Sequence, residues 1–169
     1  MIFSSEIMQK FSIIFEILLK NKLMISTAES CSGGLLSSLF TELDGSSKIF
    51  DRGFVVYSNQ SKIAELQVAE DLINKYGAVS QEVATAMVQG ALKNSNANIS
   101  IAITGIAGPN GGSPQKPVGT IFIAIATKQN MICQKFLFGN DRQSNRYKTI
   151  LETLNLLEIF LKENDSSWH

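Results

Sequence analysis

Two short stretches hold residues that can act as nucleophile and base. "STAESCSGG" (26–34) places Ser30 and Cys31 side by side before Gly33 and Gly34, and "YSNQSK" (57–62) carries Tyr57 and Lys62. A serine or thiol nucleophile needs a partner to take its proton, and the usual partner is an ordered imidazole. The only histidine is His169, the last residue, on a polar tail. Ser-His-Asp and Cys-His schemes are disfavoured, and histidine-ligated metal catalysis with them. A serine with a lysine, carboxylate or tyrosine base is left.

A lysine accepts a proton only when neutral, and burial or nearby positive charge makes it so. If Ser58 or Asn59 caps a helix, Lys62 falls in its first turn, where the positive end of the helix dipole disfavours a cation. The competing reading is a solvated surface lysine, the commoner case. Ser30 precedes a Gly-Gly helix start, whose backbone N–H groups can stabilise an oxyanion or hold a phosphate. It serves equally well as a plain helix cap. The hydrolase elbow GxSxG is absent. Cys31 is the better intrinsic nucleophile, but without histidine its thiolate lacks a source, and a buried structural cysteine is commoner.

Two further segments suit ligand binding. "TGIAGPNGG" (104–112) follows an apolar strand, where ligands of open α/β sheets sit. Thr104 begins it, and Gly105, Gly108, Gly111 and Gly112 permit close backbone approach. No GK[ST] follows, so it is not a Walker loop. Arg142 and Arg146, four apart at a helix start, share a face and suit a phosphate or carboxylate clamp, or simply a solvated face.

The elements that must position these residues alternate. The N-terminal stretch "MIFSSEIMQKFSIIFEILLKNK" (1–22) carries Ile7, Phe11, Ile14, Phe15, Leu18 and Leu19 at helical spacing, with Glu6, Lys10, Glu16 and Lys20 interspersed. That pattern predicts an amphipathic surface helix, not a secretory segment or a membrane span. Strands are expected at 22–27, 52–58 and 98–104, and "TIFIAIAT" with "MICQKFLF" reads as a hairpin. Helices are expected from Gly34 to Asp44, from Ser58 to Leu66, over "DLINKYG", from the Ser80 cap, and from Asp141 onward. The tail "NDSSWH" is expected to be loose. The pattern is that of one α/β domain over residues 1–169, a three-layer α/β/α sandwich with a mixed, mostly parallel sheet.

Lys plus Arg equals Asp plus Glu, 15 each. This balance argues against nucleic acid and anionic membranes as partners. Two cysteines, Cys31 and Cys133, form neither a disulfide framework nor a zinc motif, which suits a reduced, cytoplasmic setting.

Four blocks in order, "TAESCSGG", "GSSKIFDRGFVVYSNQSK", "YGAVSQEVA" and "ITGIAGPNGGSPQKPVGT", resemble the signature blocks of the CinA C-terminal family. The resemblance spans residues 6–161. Enzymatic members of that family are nicotinamide mononucleotide deamidases, described as serine amidohydrolases with a Ser/Lys pair. The resemblance implies Ser30 as nucleophile, Lys62 as base and Tyr57 as their helper. It matches Arg142 and Arg146 to the family's arginines. With them, backbone N–H groups near Ser30, at Gly33 and Gly34, and at the Thr104-Gly105 turn are expected to serve the oxyanion, and the glycine-rich loop with Gly108 to hold the phosphate. The resemblance implies no metal or redox cofactor, a small-molecule nucleotide as the partner, and a homo-oligomer. Where the family has "GDR", this sequence reads Gly139-Asn140-Asp141-Arg142, one residue longer. Ser32 and Asn110 stand where threonine and aspartate are frequent. The molybdopterin-binding-like domain of full-length CinA proteins is not in this sequence, so a stand-alone form is expected. The rival expectation is a non-catalytic, competence- or damage-associated nucleotide-binding module, with Ser30 a helix cap and Lys62 a phosphate ligand.

Overall fold

The computed structural model describes residues 2–164; His169 and the tail after Asn164 lie outside them. The elements run α1 (Ser5–Lys20), β1 (Ile25–Glu29), α2 (Leu35–Leu39), β2 (Phe50–Val55), α3 (Asn59–Leu66), α4 (Glu70–Tyr76), α5 (Gln81–Lys93), β3 (Ile99–Gly105), β4 (Thr120–Ala126), β5 (Met131–Leu137) and α6 (Arg142–Glu163). They form a five-stranded sheet of order β2-β1-β3-β4-β5, with helices on both faces.

The sheet is mixed, as expected, but its pairings divide evenly. β1 runs parallel to β2 and β3, while β3–β4 and β4–β5 are antiparallel. Parallel pairing needs a crossover, and the connections after β1 and β2 carry helices. The connection from β3 to β4 carries none, so the chain turns back directly and β3–β4 is antiparallel.

The central strands explain the two layers. β3 alternates Ile99, Ile101 and Ile103 with Ser100, Ala102 and Thr104, and β4 alternates Ile121, Ile123 and Ile125 with Phe122, Ala124 and Ala126. The isoleucines join the core under α1 and α6; Ala102, Ala124 and Ala126 meet α5. Small residues on that face let α5 lie close to the sheet.

Helix caps follow the sequence signals. Ser4, Ser58, Ser80 and Asp141 each accept a hydrogen bond from the first turn of the helix they precede. Several boundaries differ from expectation: β1 runs Ile25–Glu29, not 22–27, and β2 starts at Phe50, not at 52. α2 stops at Leu39, not near Asp44, as the backbone tightens into i→i−3 bonds, Thr41 N to Ser38 O and Glu42 N to Leu39 O, both at 3.1 Å. β2 ends at Val55, not Ser58, and the next three carbonyls turn toward Lys62. No helix among the described residues is long and apolar enough to cross a membrane.

Candidate active site

Ser30 is the first residue beyond β1. Its N–H donates to Ile103 O at 3.0 Å, after the last β1–β3 pair, Glu29–Ile103. Past this point the strands part and leave a cavity of about 250 Å³, bordered by Ser30, Lys62, Tyr57, Thr104 and Gly105 and by the glycine-rich loop.

Lys62 enters the cavity floor from α3 and is 1% exposed. Its Nζ lies 2.9 Å from Val56 O, 3.2 Å from Tyr57 O, 3.4 Å from Ser58 O and 3.1 Å from Ser30 Oγ. A neutral amine has two N–H bonds and one lone pair. Nζ donates to Ser30 Oγ as it does to the carbonyls; in the neutral form the two nearest carbonyls would take both N–H bonds and free the lone pair for the Ser30 hydroxyl. Burial holds the Lys62 pKa below the ordinary lysine value. A charge on Cys31 would act the other way, but burial also drives that thiol up to about 12, so it stays protonated. Cys31 belongs to the apolar core. The sequence placed Lys62 correctly at a helix start; the principal cause of its shift is burial.

The expected binding residues divide. Thr104, Gly105 and Gly108 line the cavity. The Thr104 hydroxyl is already engaged, donating to Ala78 O at 2.8 Å. A Cβ on Gly105 would lie 2.8 Å from the backbone oxygen of Thr120, so only glycine lets β4 pass that close. Arg142 bridges the cavity rim, donating from Nη1 to Gly108 O at 2.8 Å and from Nη2 to the Tyr57 hydroxyl at 3.2 Å. The expected link between Tyr57 and Lys62 thus runs through the Tyr57 carbonyl, while its exposed phenol bonds Arg142.

Arg146 is not part of the cavity wall. Its Nη2 and Nε donate to Ser32 O at 2.7 and 3.3 Å. With Arg142, Leu35, Pro109 and Tyr147 it lines an adjoining groove of about 580 Å³. Gly33 and Gly34 are also outside the cavity, and their amides are taken. Gly33 N donates to Ser30 O at 3.1 Å, and Gly34 N to Glu29 Oε2 at 3.1 Å. Their φ angles of +63° and +90° are the reason for glycine here. The Cys31 and Ser32 N–H groups donate to no backbone carbonyl among the described residues, and they follow the nucleophile directly.

The model of the CinA C-terminal domain matches residues 8–161. The chain belongs to this family. A CinA-like protein from Chlorobium chlorochromatii is 42% identical over 157 residues, covering 92% of this chain and 37% of the relative. The chain thus spans about a third of the length of the curated relatives it matches. Solved structures of closer length match the fold. Competence/damage inducible protein CihA from Agrobacterium tumefaciens superposes with a TM-score of 0.91 at 40% identity, over 93% of this chain and 96% of that one. A competence-damaged protein (CinA) superfamily protein from Escherichia coli gives 0.86 at 33% identity, over 89% and 88%.

Four residues of this CinA domain bear on the site without having been singled out for it in the sequence. Asn59 and Asn110 line the cavity with polar side chains, but exposed asparagines carry no distinguishing signal. Asn145 is fully buried; its Nδ2 donates to Ala107 O at 2.9 Å and Asn140 O at 2.8 Å, fixing the loops on either side of Arg142. With Thr149 and Thr153, also buried, it forms a polar stripe at spacing four on α6, and that spacing was readable. The fourth is Glu29, buried beneath the Ser30 turn.

Proposed function

We propose that this CinA C-terminal domain hydrolyses the carboxamide of nicotinamide mononucleotide to nicotinic acid mononucleotide and ammonia. The observation that carries the reading is the buried Lys62 amine 3.1 Å from Ser30 Oγ, with no histidine among the described residues. The substrate comes from the resemblance of the four sequence blocks; the geometry supports the chemistry.

Lys62 takes the Ser30 proton as Oγ attacks the amide carbon. The oxyanion falls to the Cys31 and Ser32 N–H groups. Collapse breaks the C–N bond, and the Lys62 ammonium returns its proton to the departing nitrogen, which leaves as ammonia. Lys62, neutral again, then takes a proton from water as the hydroxyl oxygen attacks the acyl-serine. Ser30 recovers its proton when nicotinic acid mononucleotide leaves. The phosphate is assigned to Arg142 at the rim, with Arg146 in the adjoining groove supplying a second guanidinium.

The test is ammonia release from nicotinamide mononucleotide, with plain nicotinamide as control. Ser30→Ala and Lys62→Ala are each expected to stay folded and lose turnover. Binding of the nucleotide with no ammonia release by the wild-type protein would sink the enzymatic reading and favour the non-catalytic module.

A further inference from the structure

The Ser30 turn is held from below by a group that the proposed chemistry does not use. Glu29 is fully buried, and four donors converge on its carboxylate. Gly34 N and Leu36 N donate to Oε2 at 3.1 and 3.0 Å. Ser37 N and Ser37 Oγ donate to Oε1 at 2.7 and 2.6 Å. No lysine or arginine pairs with it among the described residues, so backbone amides and one hydroxyl carry its whole compensation.

These bonds do what a helix cap does, but from an unusual place. The residue before α2 is Gly34, which has no side chain to cap with. The acceptor comes instead from the last residue of β1, five positions earlier. It ties the start of α2 to the end of the strand, and the turn between them carries Ser30, Cys31 and Ser32. That turn needs left-handed backbone at Gly33 and Gly34; the carboxylate holds the Gly34 amide, and Ser30 O holds that of Gly33. The anchor is itself braced. Ser37 Oγ lies 2.7 Å from Thr27 Oγ1, and Gly53 of the neighbouring strand leaves room for both, since a Cβ there would lie 2.3 Å from Ser37 Oγ.

We infer that Glu29 is a positioning residue for Ser30, setting the nucleophile oxygen and the two following amides in the register that Lys62 requires. The inference rests on Ser30 being the nucleophile proposed above. Glutamine keeps the shape of Glu29 but turns one acceptor oxygen into a donor, which then faces the Ser37 or the Gly34 and Leu36 amides. The turn relaxes, and a shift of the order of 1 Å costs about 100-fold in rate.

Glu29→Gln is tested with two readouts on folded protein. One is ammonia release from nicotinamide mononucleotide, split into kcat and KM. The other is the rate at which a fluorophosphonate probe labels Ser30, which needs no nucleotide. The expected result is loss of about 100-fold in kcat and in labelling rate, with KM little changed. A merely structural role would lower the melting temperature and leave both rates per folded molecule intact; that result overturns the proposal. If Glu29→Gln does not fold, Ser37→Ala removes one donor of the four and carries the test. It is expected to slow labelling, and wild-type labelling would overturn the proposal. A wild-type protein that neither labels at Ser30 nor releases ammonia refutes the nucleophile itself, and the role of Glu29 falls with it. Wild-type labelling with an unchanged rate in folded Glu29→Gln refutes the role of Glu29 alone.

Discussion

Replacing Lys62 with methionine removes the amine while keeping an unbranched side chain of similar length in the same buried slot. Its effect on rate and its effect on stability separate cleanly. Loss of the base is expected to lower kcat by about 10²–10⁴-fold, which is about 3–5 kcal/mol of barrier. For stability, two of the carbonyl contacts, 2.9 Å to Val56 O and 3.2 Å to Tyr57 O, are well made. At about 1 kcal/mol each they amount to about 2 kcal/mol. Against this stands the cost of burying an amine that would be charged in the unfolded chain. The folded pKa lies below the unfolded value. Between the two, the unfolded chain holds a proton that the folded protein has released, so wild-type stability rises with pH across that window. The gain is complete above about 10.4 and is lost as pH falls through the folded value.

Methionine has no such slope. The variant is therefore expected to match the wild type most closely near neutral pH and to fall behind as pH rises, by about 2 kcal/mol at the top of the window. For a domain of this size that gap is about 4–8 °C in Tm. The assays are ammonia release and thermal melts of both proteins from pH 7 to 10. Wild-type kcat should rise with pH and level off below the ordinary lysine range, since only neutral Lys62 accepts the Ser30 proton. A variant keeping more than about a tenth of wild-type turnover would refute the base assignment, because a general base contributes at least about 100-fold. A Tm gap that does not widen with pH would refute the argument that burial neutralises the amine.

Other expectations follow from single contacts. Cys31→Ala should keep most of its turnover and cost about 1 kcal/mol of stability, because the thiol is core packing whose pKa sits at about 12; loss of activity in a folded variant would make the thiol part of the chemistry. Tyr57→Phe removes one phenol–guanidinium bond, worth about 1–2 kcal/mol. KM should rise while kcat stays, and a collapse of kcat would bring the phenol into the proton transfer. Gly90→Ala would ordinarily favour a helix by about 1 kcal/mol. Here its Cβ would sit 2.1 Å from Leu66 O, so α3 must move off α5. A fall of about 1–3 kcal/mol in a denaturation midpoint analysis is expected, and a stabilised variant would contradict the packing.

Much of this site was legible because its signals are local. Ser58 as a cap, Lys62 in the first turn behind it, and Ser30 at the end of a strand all follow from residue types at short spacing. The even split between parallel and antiparallel pairing was not legible, since a loop as long as 106–119 suits either return. Glu29 escaped because its partners lie five to eight residues ahead, beyond the spacing of a capping box. Gly33 and Gly34 were read as ligand donors, but their backbone angles and engaged amides make them hinges of the turn. The least local property is the one the chemistry depends on most. Lys62 is buried because α3 is pinned to α5 at its far end, by the close contact of Gly90 with Leu66 O and by Asn94 Nδ2 donating to Glu65 O at 2.8 Å. α5 in turn lies close to the sheet because Ala28, Ala102 and Ala124 face it. A row of small residues in three strands thus sets how dry a lysine becomes on the helix beside α5. No window of sequence around Lys62 contains that information.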